Sequence, residues 1–110
     1  MVINNKSYQL VLSTYPDSET AKKTAISLVN AQYAACVNVI PKLISIYKWQ
    51  EKIKYEEECL LLVKSRSDYY SLVEEMIRTQ HPYDLPEIIA VPIEVGLNGY
   101  LAWIDKALSQ

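Results

Sequence analysis

The chain has 110 residues, half of them hydrophobic and 22% charged, a composition that fits one globular domain over residues 1–110 and is too short for two. Eleven Lys+Arg against thirteen Asp+Glu give a net charge of -2, with no block of like charge longer than Glu56-Glu57-Glu58, which excludes an electrostatic footprint for nucleic acid. Aliphatic runs such as Leu60 to Val63 are far shorter than the roughly 18 residues of a membrane span, and residues 1–15 carry no basic-then-apolar leader, so the reading is a cytoplasmic protein with no membrane partner.

Two hydrophobic periods alternate along the chain. Ser7 to Tyr15 is rich in aromatic and aliphatic residues and stops at Pro16-Asp17, which predicts a first strand ending in a turn. From Asp17, an N-cap residue, Ala21, Ala25, Leu28 and Val29 recur at helical spacing for about four turns. Ala35 to Trp49 returns to strand character, with Pro41 marking an edge position or a bulge because it cannot donate to a ladder. Ile53 to Arg66 is the second arm of a long hairpin whose outer end is polar. Ser67 or Asp68 then caps a second helix with Tyr69, Leu72, Val73, Met76 and Ile77 on its apolar face. His81-Pro82-Tyr83-Asp84-Leu85-Pro86 ends that helix as an extended loop, Glu87 to Val95 forms a last strand, and Tyr100 to Leu108 a short terminal helix.

The order βαββαβ plus a helix predicts an α+β, ferredoxin-like sandwich with both main helices on one face of a four-stranded antiparallel sheet. Such a sheet should alternate apolar and polar residues, yet Cys59, Leu61 and Val63 oppose Leu60 and Leu62, and Val37 and Val39 oppose Cys36 and Ile40. Both faces of the hairpin need burial. The pattern therefore predicts that a second copy of the chain covers the face the helices leave bare.

The chemistry-bearing residues are few. A hairpin turn centred near Glu51-Lys52 sets Cys36 opposite Ser67 and Cys59 opposite Ile44, roughly 26 Å apart along the strand, so the two cysteines are free thiols, as in a reducing cytosol. His81 is the one imidazole, at a helix end where it can simply satisfy carbonyls. No Cys-x-x-Cys, His-x-His or Gly-rich phosphate loop is present, and no third group orients a Cys–His pair. Glu87 is aimed by Pro86 toward the loop bearing His81, and a thiolate, an imidazole and a carboxylate suit copper or zinc better than magnesium or calcium. Lys64, inside an apolar strand, either snorkels or gives a pocket a positive end. Tyr47 and Trp49 close the hairpin strand, where they read as packing aromatics.

Four stretches in order, Ala35-Cys36-Val37-Asn38, Ser45-Ile46-Tyr47-Lys48-Trp49, Leu62-Val63-Lys64-Ser65-Arg66 and His81-Pro82-Tyr83-Asp84-Leu85-Pro86-Glu87-Ile88, give the chain a resemblance to the CutA family, the divalent-cation tolerance proteins. The resemblance runs nearly the whole length. It implies a tight homotrimer with inward-facing sheets, similar to PII signalling proteins, no enzymatic reaction, and a response to metal ions, with copper binding in some members and no metal needed for folding. By position it implies Cys36, His81 and Glu87 as metal or ligand groups in a cleft between subunits, lined by Asn38, Trp49, Lys64 and Tyr83. The alternative is a PII-like trimer whose cleft takes a small anionic metabolite. Two departures stand out: Ser13, where some relatives place a second thiol, and Asp84, where the family has Glu.

Overall fold

The computed structural model describes residues 7–109. Its elements are β1 (Tyr8–Tyr15), α1 (Ser18–Asn30), β2 (Cys36–Trp49), β3 (Lys52–Arg66), a single 3-10 turn (Ser67–Tyr69) running into α2 (Tyr70–Gln80), β4 (Ile89–Pro92) and α3 (Asn98–Ala107). The strands form one antiparallel sheet in the order β2-β3-β1-β4, the ferredoxin-like topology expected from the sequence.

Asp17 starts α1 as anticipated: its backbone is extended and its Oδ1 accepts the Thr20 N–H at 2.8 Å. Ala21, Thr24, Ala25 and Leu28 then face the sheet and are buried. The start of α2 differs from expectation, because neither Ser67 nor Asp68 caps it. Ser67 Oγ accepts the Ser7 N–H instead, and Asp68 is gripped by Arg66 through Nε and a terminal nitrogen, both at 2.9 Å. On α2, Val73 and Ile77 are buried, whereas Leu72 lies 39% exposed outside the core.

The hairpin register also departs from the sequence reading. Trp49 pairs with Lys52, so the turn is the two residues Gln50-Glu51, both at positive φ (49° and 69°). That is the twist-matched geometry of a tight hairpin, here formed without the usual Asn-Gly pair. A bulge between Ile40 and Leu43, holding Pro41 with Lys42 at φ 64°, shifts the register once more. Cys36 consequently faces Lys64 rather than Ser67, and Ile44 faces Glu57 rather than Cys59, whose partner on β1 is Tyr15. The thiols remain unbridged. The last strand is shorter than Glu87 to Val95 because Pro92 removes a donor and only one further bond, Ile93 N–H to Tyr8 O at 2.9 Å, continues the ladder.

Under α1 and α2 the core consists of Val11, Tyr15, Leu28, Leu61, Val63, Val73 and Ile77, all fully buried. At one end of the sheet α3 packs Ile104 and Leu108 against Tyr69 and Ala35. Arg66 ties this helix down through Asp105 at 2.7 Å, and the Tyr8 hydroxyl donates to the same carboxylate at 2.6 Å. The opposite sheet face carries Leu10, Leu12, Leu60 and Leu62, all half-buried, with Ile40, Ile89 and Val91 between 43% and 51% exposed. Beyond the bulge the hairpin projects past the body, giving a longest dimension of 54 Å against 25 and 23 Å.

Non-glycine residues at positive φ store backbone strain. Gln50→Asn with Glu51→Gly should therefore raise the urea midpoint, by about 1 kcal/mol in stability with an unchanged slope; a lower midpoint would contradict the assigned turn.

Candidate functional site

The site grows from the loop after α2. His81 ends the helix in an extended conformation, as a residue before proline must, and keeps its N–H on Ile77 O at 2.9 Å. Its Nε2 lies 2.7 Å from Thr14 O, and since a carbonyl only accepts, Nε2 carries the hydrogen. Nδ1 accepts the Tyr83 N–H at 3.1 Å. With 9% exposure and rings of Tyr15 and Tyr83 at 4.1 and 4.8 Å, the imidazole is held neutral. Burial pushes its pKa down, against the opposing pull of the Thr14 carbonyl and the Glu58 charge.

The His81 bond fixes the turn that aims Tyr83. The Tyr83 hydroxyl donates to Glu58 Oε2 at 2.8 Å, and burial together with that carboxylate raises the phenol pKa so that it stays protonated. Glu58 itself is 8% exposed. Two residues earlier on the same strand face, Glu56 accepts from the Tyr47 hydroxyl. Trp49 and Tyr47 from β2, Lys54, Glu56 and Glu58 from β3, Thr14 from β1, and Tyr83 and Glu87 from the loop surround an open cavity of about 930 Å³.

The bulge decides which β2 residues reach this wall. Because partners across a ladder share a face, Leu43, Ser45, Tyr47 and Trp49 lie on the face of Glu58, Leu60, Leu62 and Lys64, and so do Cys36, Asn38 and Ile40 on the other side of the bulge. Without the extra residue Tyr47 and Trp49 would point to the other side.

The residues singled out from the sequence divide into two groups on one face. Trp49, Tyr83 and Glu87 line the cavity, with His81 behind Tyr83. Cys36 and Asn38 pair with Lys64 and Leu62 toward the other end. His81 meets the sheet at Thr14, level with Leu60 and Ile40, so Cys36 lies four residues, roughly 13 Å, further along the strand. One chain alone does not gather Cys36, His81 and Glu87. Among the described residues no group of three His, Cys, Asp or Glu side chains is disposed to hold a metal ion, and both His81 nitrogens are already engaged. Lys64 lies with its Nζ 5.7 Å from the centre of the Tyr100 ring, a cation–π contact to α3. Ser13 is fully buried on the helix-covered face, so its hydroxyl points away from Cys36. Thr14, Glu56 and Glu58 are site residues that sequence reasoning missed. Their signal was the period of two, which sets Glu56 and Glu58 on the face of Leu60 and Leu62.

Comparison with known proteins places this architecture. The family model described as CutA1 divalent ion tolerance protein matches residues 9–107. The chain belongs to the CutA1 family. Its relative in Thermus thermophilus, the divalent-cation tolerance protein CutA, is 43% identical over 98 residues, 89% of this chain and 95% of that protein. The Xenopus laevis CutA homolog is 45% identical over 97 residues, covering 88% of this chain and 64% of its own length. The chain spans little more than half of the Arabidopsis thaliana CutA1-family relative, which is named as chloroplastic. A solved structure of the Thermus thermophilus divalent cation tolerance protein superposes with a TM-score of 0.88 at 40% identity, covering 93% of this chain and 99% of that one.

A CutA1 fold that holds His81 neutral has a pH signature. With the folded-state pKa below the ordinary 6.5, the unfolded chain takes up the proton first as pH falls. The contribution of His81 is complete above about pH 6.5 and is lost as pH drops through that value toward the folded-state pKa. Urea midpoints taken from pH 7 to 5 should fall more steeply for the native chain than for His81→Gln; parallel curves would contradict a neutral ring.

Proposed function

We propose that this CutA1-family chain acts in the response to divalent metal ions as a non-catalytic homotrimer, taking copper or another divalent metal in clefts between subunits. Cys36, His81 and Glu87 are the metal groups, and Asn38, Trp49, Lys64 and Tyr83 line the cleft. The observation that supports this reading is the open sheet face: it is apolar, and it carries the two groups of site residues at separate ends. A second copy laid on that face, reached by the projecting hairpin, brings the end of one chain bearing Cys36 toward the end of another bearing Glu87.

The thiol of Cys36 favours a soft ion such as copper, and Glu87 is exposed and unpaired among the described residues. His81 offers Nδ1 to a metal only by releasing the Tyr83 amide. A small anion is the poorer occupant. Among the described residues Lys54 is the one cation lining the cavity against three carboxylates, and Lys64 is turned to Tyr100. The compartment we favour is a reducing cytosol, in keeping with two free thiols. Among the described residues no helix is long and apolar enough to cross a membrane.

Copper titration of the reduced protein with metal quantified after dialysis tests the metal reading. The native chain should retain copper, Cys36→Ser should lose most of it, and Glu87→Gln should weaken it. Retention unchanged in Cys36→Ser would remove that residue from the site, and no retention by the native chain would overturn the metal reading.

A further inference from the structure

The two ends of the molecule carry apolar surfaces that one chain cannot bring together. Ladder pairing sets Ile44 with Glu57 and Lys48 with Ile53 on one face of the projecting hairpin, with Tyr55 between them; Tyr47 and Trp49 lie on the opposite face. Ile44, Ile53 and Tyr55 are each more than half exposed. At the other end of the sheet, α3 buries Ile104 and Leu108 and turns Trp103 outward, 45% exposed. Tyr100 packs beside it with ring centres 5.5 Å apart, and Gly99, Ala102, Asp105 and Lys106 join Trp103 in lining an open groove of about 570 Å³. A Cβ placed on Gly99 would meet nothing within 4 Å, so the described chain does not overhang that part of the groove.

Three observations pair these surfaces. First, α3 packs on Ala35, at the start of β2, whereas the hairpin tip follows the end of β2; in a molecule 54 Å long, the hairpin and α3 of one chain stay apart. Second, the α3 surface is continuous with the bare sheet face, because Tyr100 holds Lys64 and Lys64 pairs there with Cys36. Third, the charges are complementary. Glu57 on the hairpin and Lys106 at the groove make no ion pair among the described residues, while Asp105 spends both oxygens on Arg66 and Tyr8. Contact between two different surfaces is heterologous: each chain gives one hairpin and receives another, which lets three copies close into a ring.

We propose that the projecting hairpin of one copy docks on the outer face of α3 of the next, with Ile44, Ile53 and Tyr55 against Tyr100 and Trp103 and with Glu57 at Lys106. The inference deepens the cleft reading given above by naming the contact that joins successive copies, and it rests on that reading for the presence of several copies. A hairpin seated on α3 lies at the Cys36 end of the receiving chain and carries Tyr47, Trp49 and Glu56 with it. Each cleft then draws its residues from two chains and is incomplete in one. Docking also removes from water two exposed apolar surfaces that each contain an aromatic side chain.

Thiol cross-linking tests the contact. In a Cys36→Ser background, where the remaining Cys59 is buried, chains carrying Tyr55→Cys and chains carrying Ala102→Cys are co-expressed and treated with a short bis-maleimide. A covalent dimer with one chain of each kind is expected, and none from either variant alone. No product from the pair, or a dimer from Ala102→Cys alone, which would seat α3 on a second α3, overturns the proposal. Subunit exchange between isotope-labelled and unlabelled chains, read by native mass spectrometry, gives a second measure. Glu57→Lys and Lys106→Glu, both at exposed positions, should each speed exchange about fivefold, and the double variant should return it to near the native rate. Single variants that exchange at the native rate, or a double variant no slower than they are, contradict it. Sedimentation of the same samples separates the two ideas: an intact trimer without the cross-link defeats the hairpin contact alone, and a folded monomer defeats the assembly as well.

Discussion

Two helices cover one side of a four-stranded sheet, and this sheet is apolar on both. The strand period puts Val11, Leu61 and Val63 under α1 and α2, and the same period forces Leu10, Leu12, Leu60 and Leu62 onto the other side. No rearrangement within the chain buries both sets, because a one-residue slip exchanges the faces without removing either. A hairpin that extends beyond the body adds Ile44, Ile46, Ile53 and Tyr55, each at least 53% exposed. Apolar surface on this scale marks an interface, and the proposed assembly follows from that surplus.

Within the sheet, the bulge at Pro41 links fold to site. One extra residue in β2 keeps Tyr47 and Trp49 on the face of Glu56 and Glu58, while Cys36 and Asn38 stay on that face at the far end. The cavity wall then depends on short tethers from other elements. His81 joins α2 to β1 through Thr14, and through the Tyr83 amide it sets the phenol that reaches Glu58. A histidine used in this way is first a structural latch, and any service as a ligand competes with that role. At the opposite end, Arg66 and Tyr8 share Asp105 and seat α3, whose Tyr100 occupies Lys64.

Element order was legible because strand and helix carry different periods, alternation in Ser7 to Tyr15 and three-and-four spacing after Asp17, and because prolines stand at three of the changes of type, Pro16 before α1, Pro82 and Pro86 between α2 and β4, and Pro92 at the end of β4. Pro41 was legible as a bulge for the same local reason. Register was not. Gln50-Glu51 lacks the glycine or asparagine that announces a tight turn, so the centre fell one position late, and the bulge added a further shift that left Cys36 opposite Lys64 instead of Ser67. The cap on α2 was misread because Ser67 and Asp68 found nearer partners in Ser7 and Arg66. Local sequence also cannot announce contacts such as Tyr83 to Glu58 or His81 to Thr14, which join residues far apart in the chain. The resemblance to the CutA family put Trp49 and Tyr83 in the cleft, beside the Glu87 that Pro86 already aimed at the His81 loop, and these three line one cavity; neither reading gave a sign of Glu56 and Glu58 beside them.

The central claim is that the bare sheet face is an interior surface between copies of this chain. Sedimentation equilibrium of the reduced protein, from high to low micromolar concentration, tests it most directly. The account predicts one species with three times the mass of a single chain, undissociated by dilution across that range. A monomer that stays soluble and folded would contradict it, since that apolar face would then be exposed to water.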